Sequence, residues 1–214
     1  MKLLSGLRTA MNFVTPKQYS VSNQSHFIIN TKTINQLVKF FPPLSGTEKV
    51  LDFGCGTGET TLAMAEGRFG ELGNPGRVIG VDISQDMIEY CKSKYNLDKL
   101  EFLQLDTETN QTKIFCNQYR GTFDLVTSFN CLHWVTNQPD TVSFFNSILK
   151  KNGLFIFLVV SSQSLKNNPH RSTFEEMKKE GEWANILKNT SWPCHNILQV
   201  NSDWMSNRDT DGSG

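Results

Sequence analysis

Glycines and acidic residues early in the chain have a spacing that could hold a small polar ligand against the backbone. Asp52 lies within an apolar run, and three glycines follow at alternate positions: Gly54, Gly56 and Gly58. Glycine lets the backbone approach a ligand closely, because a Cβ at the same position would collide with it. A second acid, Asp82, ends the next apolar run. This combination predicts a ligand site built from a tight turn and a carboxylate; a glycine-rich turn without a ligand is the alternative.

The residues on either side of the glycines predict a strand, a turn and a helix. Residues 50–53 are typical of a buried strand, and residues 59–66 contain helix formers, so the turn opens a helix. In an open α/β sheet, ligands bind outside the carboxyl ends of the strands, where this turn lies. The spacing does not fit a dinucleotide-binding G-x-G-x-x-G, because Glu59 stands at the sixth position. It also lacks the Gly-Lys-Ser/Thr ending of a P-loop.

Four further apolar runs predict the rest of a parallel sheet. We expect strands over residues 78–82, 100–105, 123–128 and 154–160. Strand-helix-strand units with parallel strands cross over with a right hand. The predicted fold class is therefore α/β, with a Rossmann-like parallel sheet in the order 3-2-1-4-5.

Helical patterns fill the connections between these strands. A leading helix is expected after residues 19–24 and is ended by two prolines. Its amphipathic positions are Ile34, Leu37, Val38 and Phe41. Ser84 is placed to cap the helix after strand two, and a helix through residues 142–149 should stop at the glycine within residues 150–153. The weak periodicity of residues 110–120 leaves helix and loop both open.

The pattern Asp-x-Gly-x-Gly-x-Gly, from Asp52 to Gly58, resembles the first motif of the class I S-adenosylmethionine-dependent methyltransferases. In these enzymes the turn approaches the methionine moiety of the cofactor rather than a pyrophosphate. The resemblance implies that the chain binds S-adenosyl-L-methionine. It also implies that Asp82 accepts hydrogen bonds from both ribose hydroxyls, with a helix-capping or surface role as the alternative.

The same resemblance implies roles for residues at the ends of the later strands. After strand three the family uses an acidic or amide residue to bind the adenine amino group, and Asp106 stands there; capping of the local backbone is the alternative. After strand four, Ser128 and Asn130 are expected to face the cofactor. The cofactor-binding residues that we predict are Asp52, Gly54, Cys55, Gly56, Gly58, Asp82, Ile83, Met87, Asp106, Thr107, Ser128 and Asn130.

A run after strand four is more specific than the glycine motif. Residues 128–135 have the sequence Ser-Phe-Asn-Cys-Leu-His-Trp-Val and are followed by Asn-Gln at 137–138, which resembles the juvenile hormone acid methyltransferases. The resemblance extends over roughly residues 19–188 and includes Tyr19, Asn23 and Gln24, residues 81–84, and Met87. These arthropod enzymes methylate the carboxylate of farnesoic acid or a juvenile hormone acid. The resemblance implies that Gln24 and Trp134 bind the substrate carboxylate. The alternatives are that Gln24 is a surface polar residue and that Trp134 is a packing aromatic.

A carboxylate substrate would simplify the chemistry of methyl transfer. Such acids titrate near ~4–5, so the attacking oxygen is already ionised at neutral pH and needs no general base. Two neutral N–H donors, Gln24 and Trp134, can orient the acid without neutralising that oxygen. An alcohol or phenol would need a base, for which His133 is the candidate, with a structural histidine as the alternative. The rival functions are a methyltransferase of another small-molecule specificity and a non-catalytic cofactor-binding remnant.

Composition sets limits on partners and location. The 214 residues carry 21 basic and 21 acidic side chains, and no basic stripe indicates nucleic acid. No apolar run is long enough to cross a membrane. The five cysteines are scattered, without a C-x-x-C pair, so we expect reduced thiols in a cytoplasmic protein and assign no metal ligands. The expected partner is a small-molecule carboxylic acid, and the expected state is a monomer or homodimer.

Three segments are expected along the chain. Residues 1–18 are interpreted as a flexible extension, in which Met11 could be an alternative start, and residues 19–190 as the methyltransferase domain. Residues 191–214 end in Asp-Gly-Ser-Gly and are expected to be a disordered or aberrant tail. A complete sheet of this class has seven strands, and we expect the last two to be missing. Strand five would then form an exposed edge.

Overall fold

Five parallel strands form the sheet of this protein in its computed structural model. The structure describes residues 15–40, 42–159, 173, 175–179, 181 and 184. The strands are β1 (Lys49–Phe53), β2 (Arg77–Asp82), β3 (Leu100–Gln104), β4 (Phe123–Phe129) and β5 (Leu149–Leu158). Their order is β3-β2-β1-β4-β5, and every pairing is parallel. The sheet order predicted from the sequence is confirmed.

Six helices accompany the strands in the described part of the chain. They are α1 (Pro16–Ser22), α2 (Gln24–Leu37), α3 (Glu59–Ala65), α4 (Gln85–Lys94), α5 (Gln111–Tyr119) and α6 (Gln138–Ile148). Single 3-10 turns occur at Val38–Phe40, Gly70–Leu72 and Leu132–Trp134. The region left open between helix and loop is therefore helical, as α5. The Ser84 hydroxyl accepts a hydrogen bond from the Met87 backbone N–H and caps α4 as expected.

Alternation along the strands divides the core between two faces of the sheet. Val50 and Val78 pack with α2 and α3 on one face, whereas Leu51 and Ile79 pack with α5 and α6 on the other. Each of these four side chains is completely buried. Because neighbouring residues of a strand point to opposite faces, the continuous apolar run of a central strand serves both layers. This arrangement fixes the strand ends, and the turn after β1, at one edge of the molecule.

The amino-terminal helices begin earlier than the sequence pattern suggested. Residues 19–24 were expected to precede the first helix, but they lie within α1 and at the start of α2. Thr15 and Gln18 form a reciprocal capping box, and Pro16 occupies the first helical turn, which favours helix initiation there. Only Asn30 and Ile34 are buried in α2, so the apolar periodicity that normally marks a helix is weak.

The junction between α6 and β5 also differs from the expectation. The helix ends at Ile148 and the strand begins at Leu149, so residues 150–153 belong to the strand rather than to a glycine stop. The left-handed residue is Asn152, with φ of 66°, and not the glycine beside it. The Lys150 ammonium group lies 2.7 Å from the Asp124 carboxylate, an ion pair that holds the early strand against β4.

Part of the predicted organisation lies outside the described residues. This applies to residues 1–14 and to the tail at 191–214. Within the described part, none of the helices has both the length and the apolar character that a membrane crossing requires.

Candidate active site

The turn between β1 and α3 is held in a conformation that only glycine adopts easily. Gly54, Gly56 and Gly58 have φ values of 75°, 53° and 81°. A Cβ on Gly54 would collide with Cys131, and one on Gly58 would come within 2.9 Å of the Cys91 sulfur. Gly56 differs, because its nearest neighbour in that direction is the Tyr19 ring at 3.5 Å. The turn is thus tightly packed against Cys131 and Cys91, and it is less crowded at Gly56.

Asp82 fastens this turn to the end of β2. One carboxylate oxygen accepts the backbone N–H of Gly56 at 2.9 Å, and the other accepts the N–H of Ser84 at 2.9 Å. The side chain is only 8% exposed. Burial raises the pKa of the Asp82 carboxyl, and the backbone hydrogen bonds oppose that rise. Each carboxylate oxygen has a second lone pair, so the acid can hold the turn and still accept a ligand hydroxyl.

Asp52 is buried behind the turn and joins three elements. Its carboxylate accepts hydrogen bonds from Thr61 of α3 at 2.6 Å and from Thr127 of β4 at 2.8 Å. Burial raises the pKa of the Asp52 carboxyl to about 6, although both hydroxyl donors lower it. Asp52 therefore fixes the position of the turn relative to α3 and β4, and it also borders the cavity described next.

A small cavity lies between the strand ends and the amino-terminal helices. Its floor includes the turn residues Gly54, Cys55 and Gly56, with Phe129 and Asn130 from the end of β4. The space open to water is about 30 Å³. That is room for one or two water molecules, whereas ligand pockets usually measure roughly 300–1,000 Å³. A nucleoside could enter only if α1 and α2 moved away from the turn.

The cover of the cavity is a polar face of α1 and α2. It consists of Tyr19, Asn23, His26 and Asn30, whose spacing places them on one side of a continuous helical path. Burial raises the pKa of the Tyr19 hydroxyl, so that phenol stays protonated. None of these four side chains had been given a role from the sequence. The missing signal was a polar face at helical spacing, which becomes visible only when residues 16–37 are recognised as helical.

Asn30 ties the cover to the body of the domain. Its amide N–H₂ donates to Thr60 of α3 at 3.1 Å, and its carbonyl oxygen accepts from the amide of Asn130 at 3.2 Å. Asn130 itself has a left-handed backbone, with φ of 55°. Asn30 is 6% exposed, so both hydrogen bonds are shielded from water. The Asn30 side chain therefore acts as a latch between α2, α3 and the end of β4.

The loop after β4 presents an imidazole and an indole side by side. His133 is buried, and its Nδ1 has no hydrogen-bond partner among the described residues. Burial, together with the charge that His26 can carry, lowers the pKa of His133 to about 4. The rings of His133 and Trp134 have centroids 5.4 Å apart, and Trp134 is 37% exposed. His133 is therefore a neutral hydrogen-bonding group and a weak base.

The two residues expected to bind the substrate carboxylate are not among those that line the cavity. Gln24 is exposed at the first position of α2, one residue beyond Asn23, whose side chain does border the cavity. Trp134 lies next to buried His133 and is partly exposed. In this arrangement Asn23 and His26 occupy the place on the cover that was expected for Gln24.

The remaining predicted cofactor residues lie along the same edge of the sheet. Ile83 is 45% exposed beyond β2, whereas the Met87 side chain and Ser128 are buried. The backbone N–H of Asp106 donates to Gln111 at 2.9 Å, and the Asp106 carboxylate accepts the N–H of Glu108 at 2.9 Å. Thr107 borders a second, open groove of about 820 Å³ between the beginnings of α5 and α6.

Residues 44–210 match a protein-family model described as "Methyltransferase domain". Curated relatives include "Putative methyltransferase 235L" of Invertebrate iridescent virus 6, 22% identical over 89% of this chain and 63% of the relative. The "Juvenile hormone acid O-methyltransferase" of Drosophila melanogaster is 28% identical over 74% of this chain and 52% of its own length. The "Malonyl-[acyl-carrier protein] O-methyltransferase" of Acetivibrio thermocellus is 29% identical over 63% of this chain and 47% of its own length. The chain thus spans about half to two thirds of these relatives.

Solved structures show the same fold at low sequence identity. One is a complex between the Haloferax volcanii Trm112 methyltransferase activator and "the putative methyltransferase". The match has a TM-score of 0.57 and 18% identity, and it covers 80% of this chain and 66% of the matched chain. The YcgJ protein of Bacillus subtilis matches with a TM-score of 0.52 and 19% identity, over 69% of this chain and 58% of YcgJ. At these identities the likeness concerns the fold alone.

Proposed function

The chain belongs to the methyltransferase-domain family of class I S-adenosylmethionine-dependent enzymes, and from that premise we propose that it methylates the carboxylate of a hydrophobic acid. The acid we favour is sesquiterpenoid-like, such as farnesoic acid or a juvenile hormone acid. Two relatives whose names specify an acid or a malonyl group as methyl acceptor support the carboxyl choice. We further propose that the protein acts in the cytoplasm, as a monomer or homodimer.

The residues at the strand ends fit the family's cofactor. S-adenosylmethionine, when bound, supplies a methyl group on a positively charged sulfur. The nearest neighbour above Gly56 is the Tyr19 ring of α1, so the turn becomes open to a ligand when α1 moves away. Asp82 has lone pairs left for the ribose hydroxyls, and exposed Ile83 follows it with an apolar surface for the adenine ring. Asp106 is the residue we assign to the adenine amino group.

The single observation that carries the carboxyl proposal is the weak basicity of the loop imidazole. A general base is most effective when its pKa lies near the working pH. The pKa of His133 is lowered to about 4, and the Tyr19 phenol stays protonated because burial raises its pKa. Neither group is suited to remove a proton from an alcohol at neutral pH. Asp52 borders the cavity with a pKa of about 6, but its two oxygens already accept hydrogen bonds from Thr61 and Thr127. A carboxylate substrate has no proton to lose, so these side chains favour an acid over an alcohol as the methyl acceptor.

The proposed reaction then depends on position rather than on proton transfer. Holding two reactants in line can supply roughly 7–11 kcal/mol of the barrier reduction. Closure of α1 and α2 over the turn excludes water, which strengthens polar contacts within the site. Gln24 and Trp134 are proposed to hold one carboxylate oxygen through neutral N–H donors while the other attacks. Trp134 follows His133 in the loop after β4, and Gln24 follows Asn23, which borders the cavity.

A competition between acceptor classes tests this proposal. The purified protein is incubated with isotopically labelled S-adenosylmethionine and an equimolar mixture of farnesoic acid, farnesol and a phenol, and the products are resolved by mass spectrometry. Methyl farnesoate should dominate, and S-adenosylhomocysteine should accumulate in equal amount. A labelled ether as the main product would refute the carboxyl assignment and turn attention to His133 as a base.

A further inference from the structure

The amino-terminal helices expose aliphatic side chains that pack against nothing in the domain. Val21 of α1 is 69% exposed, and Ile28 of α2 is 54% exposed. Ile29, next to Ile28, is 46% exposed. Val21 and Ile28 are seven residues apart, about two helical turns, so they lie on the same side of the helical path. Single exposed aliphatic residues are ordinary, whereas a group on one face indicates an interaction surface.

The same side of the two helices carries positive charge without any acid. Lys17 lies four residues before Val21, and Lys32 lies four residues after Ile28. Both lysines are exposed, and neither forms an ion pair with any residue that the structure describes. The first acidic residue of the chain is Glu48, beyond the end of α2. Lys17, Val21, Ile28 and Lys32 therefore form one basic and apolar row, called here the outer stripe.

The outer stripe lies opposite the face that covers the cavity. The Asn23 N–H donates to the Tyr19 carbonyl at 2.9 Å, and the Asn23 carbonyl accepts from the Phe27 N–H at 3.2 Å, so the helical path continues from α1 into α2. Successive residues turn by about 100° around such a path. That rotation places the outer stripe about half a turn away from the residues that border the cavity: Tyr19, Asn23, His26 and Asn30. A partner on the outer stripe would leave the cavity face free.

We propose that the outer stripe docks the protein on the surface of an anionic lipid bilayer. Aliphatic side chains such as Val21 and Ile28 can enter the headgroup layer, while the lysine stems extend their charges to the lipid phosphates. Anionic lipids attract basic side chains close to the surface. A second copy of the chain docked through the same face would bring lysine against lysine with no acid to pair them, so the charge favours a lipid surface over self-association. The inference goes beyond the proposed function and does not depend on it.

Vesicle flotation tests the docking without cofactor or substrate. The purified chain is mixed with phosphatidylcholine vesicles that contain phosphatidylserine, and separately with phosphatidylcholine vesicles alone. Binding should require phosphatidylserine and should fall as salt rises above about 0.15 M, because salt screens the lysine charges. Ile28→Ser should lower the vesicle partition coefficient about tenfold through the lost aliphatic burial. Lys32→Gln should lower it about fivefold, as expected for one lysine near an anionic surface.

Matched controls come from α5, where the same residue pair is exposed away from the outer stripe. Ile114 is 66% exposed and follows exposed Lys113. Ile114→Ser and Lys113→Gln should bind vesicles like the wild type. Urea unfolding checks that all four variants keep the wild-type stability, which is expected because the substituted side chains are exposed.

The outcomes separate this inference from its rivals and from the proposed function. No binding to phosphatidylserine vesicles, or equal losses in the α5 controls, would overturn the docking surface. Self-association that Ile28→Ser abolishes, without vesicle binding, would overturn it in favour of an interface between copies of the chain. Vesicle binding that depends on Ile28 and Lys32, in a protein that methylates no acid, would support the docking surface and refute only the proposed function. Methylation of farnesoic acid without any vesicle binding would do the reverse.

Discussion

The carboxylate of Asp82 accepts a hydrogen bond of 2.9 Å from the backbone N–H of Gly56, so the acid that ends β2 holds the turn that follows β1. The same carboxylate accepts the N–H of Ser84. Its predicted ribose contacts therefore depend on a side chain that also shapes the glycine turn. Loss of this acid should affect the cofactor both directly and through the turn.

Asp82→Ala is expected to weaken binding of S-adenosylmethionine strongly. A hydrogen bond to a charged group contributes about 1.5–3 kcal/mol, so the dissociation constant should rise by about ten- to a hundredfold. Calorimetry with S-adenosylhomocysteine measures the change. Asp86→Asn, which alters an exposed acid on the first turn of α4, is the matched control and should leave affinity unchanged. Wild-type affinity in Asp82→Ala would remove Asp82 from the cofactor site.

Breaking the Asn30 latch should loosen the cover. Asn30→Ala removes the partner of both Thr60 and Asn130, and a buried group left without its partner costs about 1–3 kcal/mol. Urea unfolding should show this loss, and hydrogen exchange should show faster exchange along α2. Asn35→Ala, an exposed position on the same helix, serves as the comparison. Equal protection of α2 in the two variants would mean that the latch does not hold the cover.

Asp52 should make the protein less stable as pH rises. Burial raises the pKa of Asp52 to about 6 from 3.8, so the folded state binds the proton more tightly than the unfolded chain. The resulting stability is fully present below pH 3.8 and is lost as pH rises through about 6. Asp52→Asn, which stays neutral, should therefore gain roughly 3 kcal/mol relative to the wild type between pH 4 and 7. Urea titrations at several pH values measure that difference, and a constant difference would contradict the raised pKa.

Removing the two predicted carboxylate donors should slow methyl transfer without affecting the cofactor. Trp134→Phe deletes the indole N–H while keeping an aromatic ring beside His133, and Gln24→Ala deletes the amide. Each variant should lose about tenfold or more in rate, because 1.36 kcal/mol corresponds to a factor of ten. Steady-state assays with farnesoic acid measure the rate and calorimetry the cofactor affinity. Full turnover in both variants would exclude Gln24 and Trp134 as the carboxylate clamp.

The sequence predicted the parts of the molecule that depend on local pattern. Apolar runs and crossover handedness were sufficient for the order of β1 to β5, and the glycine spacing located the turn correctly. Helix α1 has no apolar periodicity that would predict it, because none of its residues is buried. The start of β5 was misplaced because a glycine at 153 resembles a helix stop, whereas pairing with β4 extends the strand back to Leu149.

The candidate site was harder to predict because its contacts join distant parts of the chain. Asp52 was expected at the cofactor, but its hydrogen bonds to Thr61 and Thr127 depend on how α3 and β4 pack. The polar face that contains His26 and Asn30 does not follow an apolar pattern. It becomes evident only when α1 and α2 are placed over the turn. Chemistry that depends on tertiary neighbours, such as the low pKa of His133, has no local signal at all.

The most direct measurement of the central claim is the position of the transferred methyl group. The protein is incubated with S-adenosylmethionine labelled with ¹³C in its methyl group and with farnesoic acid, and the product is examined by NMR. The account predicts a labelled methyl ester whose formation requires the protein and matches the S-adenosylhomocysteine released. A label found on carbon, or cofactor binding with no transfer to any acid, would contradict it.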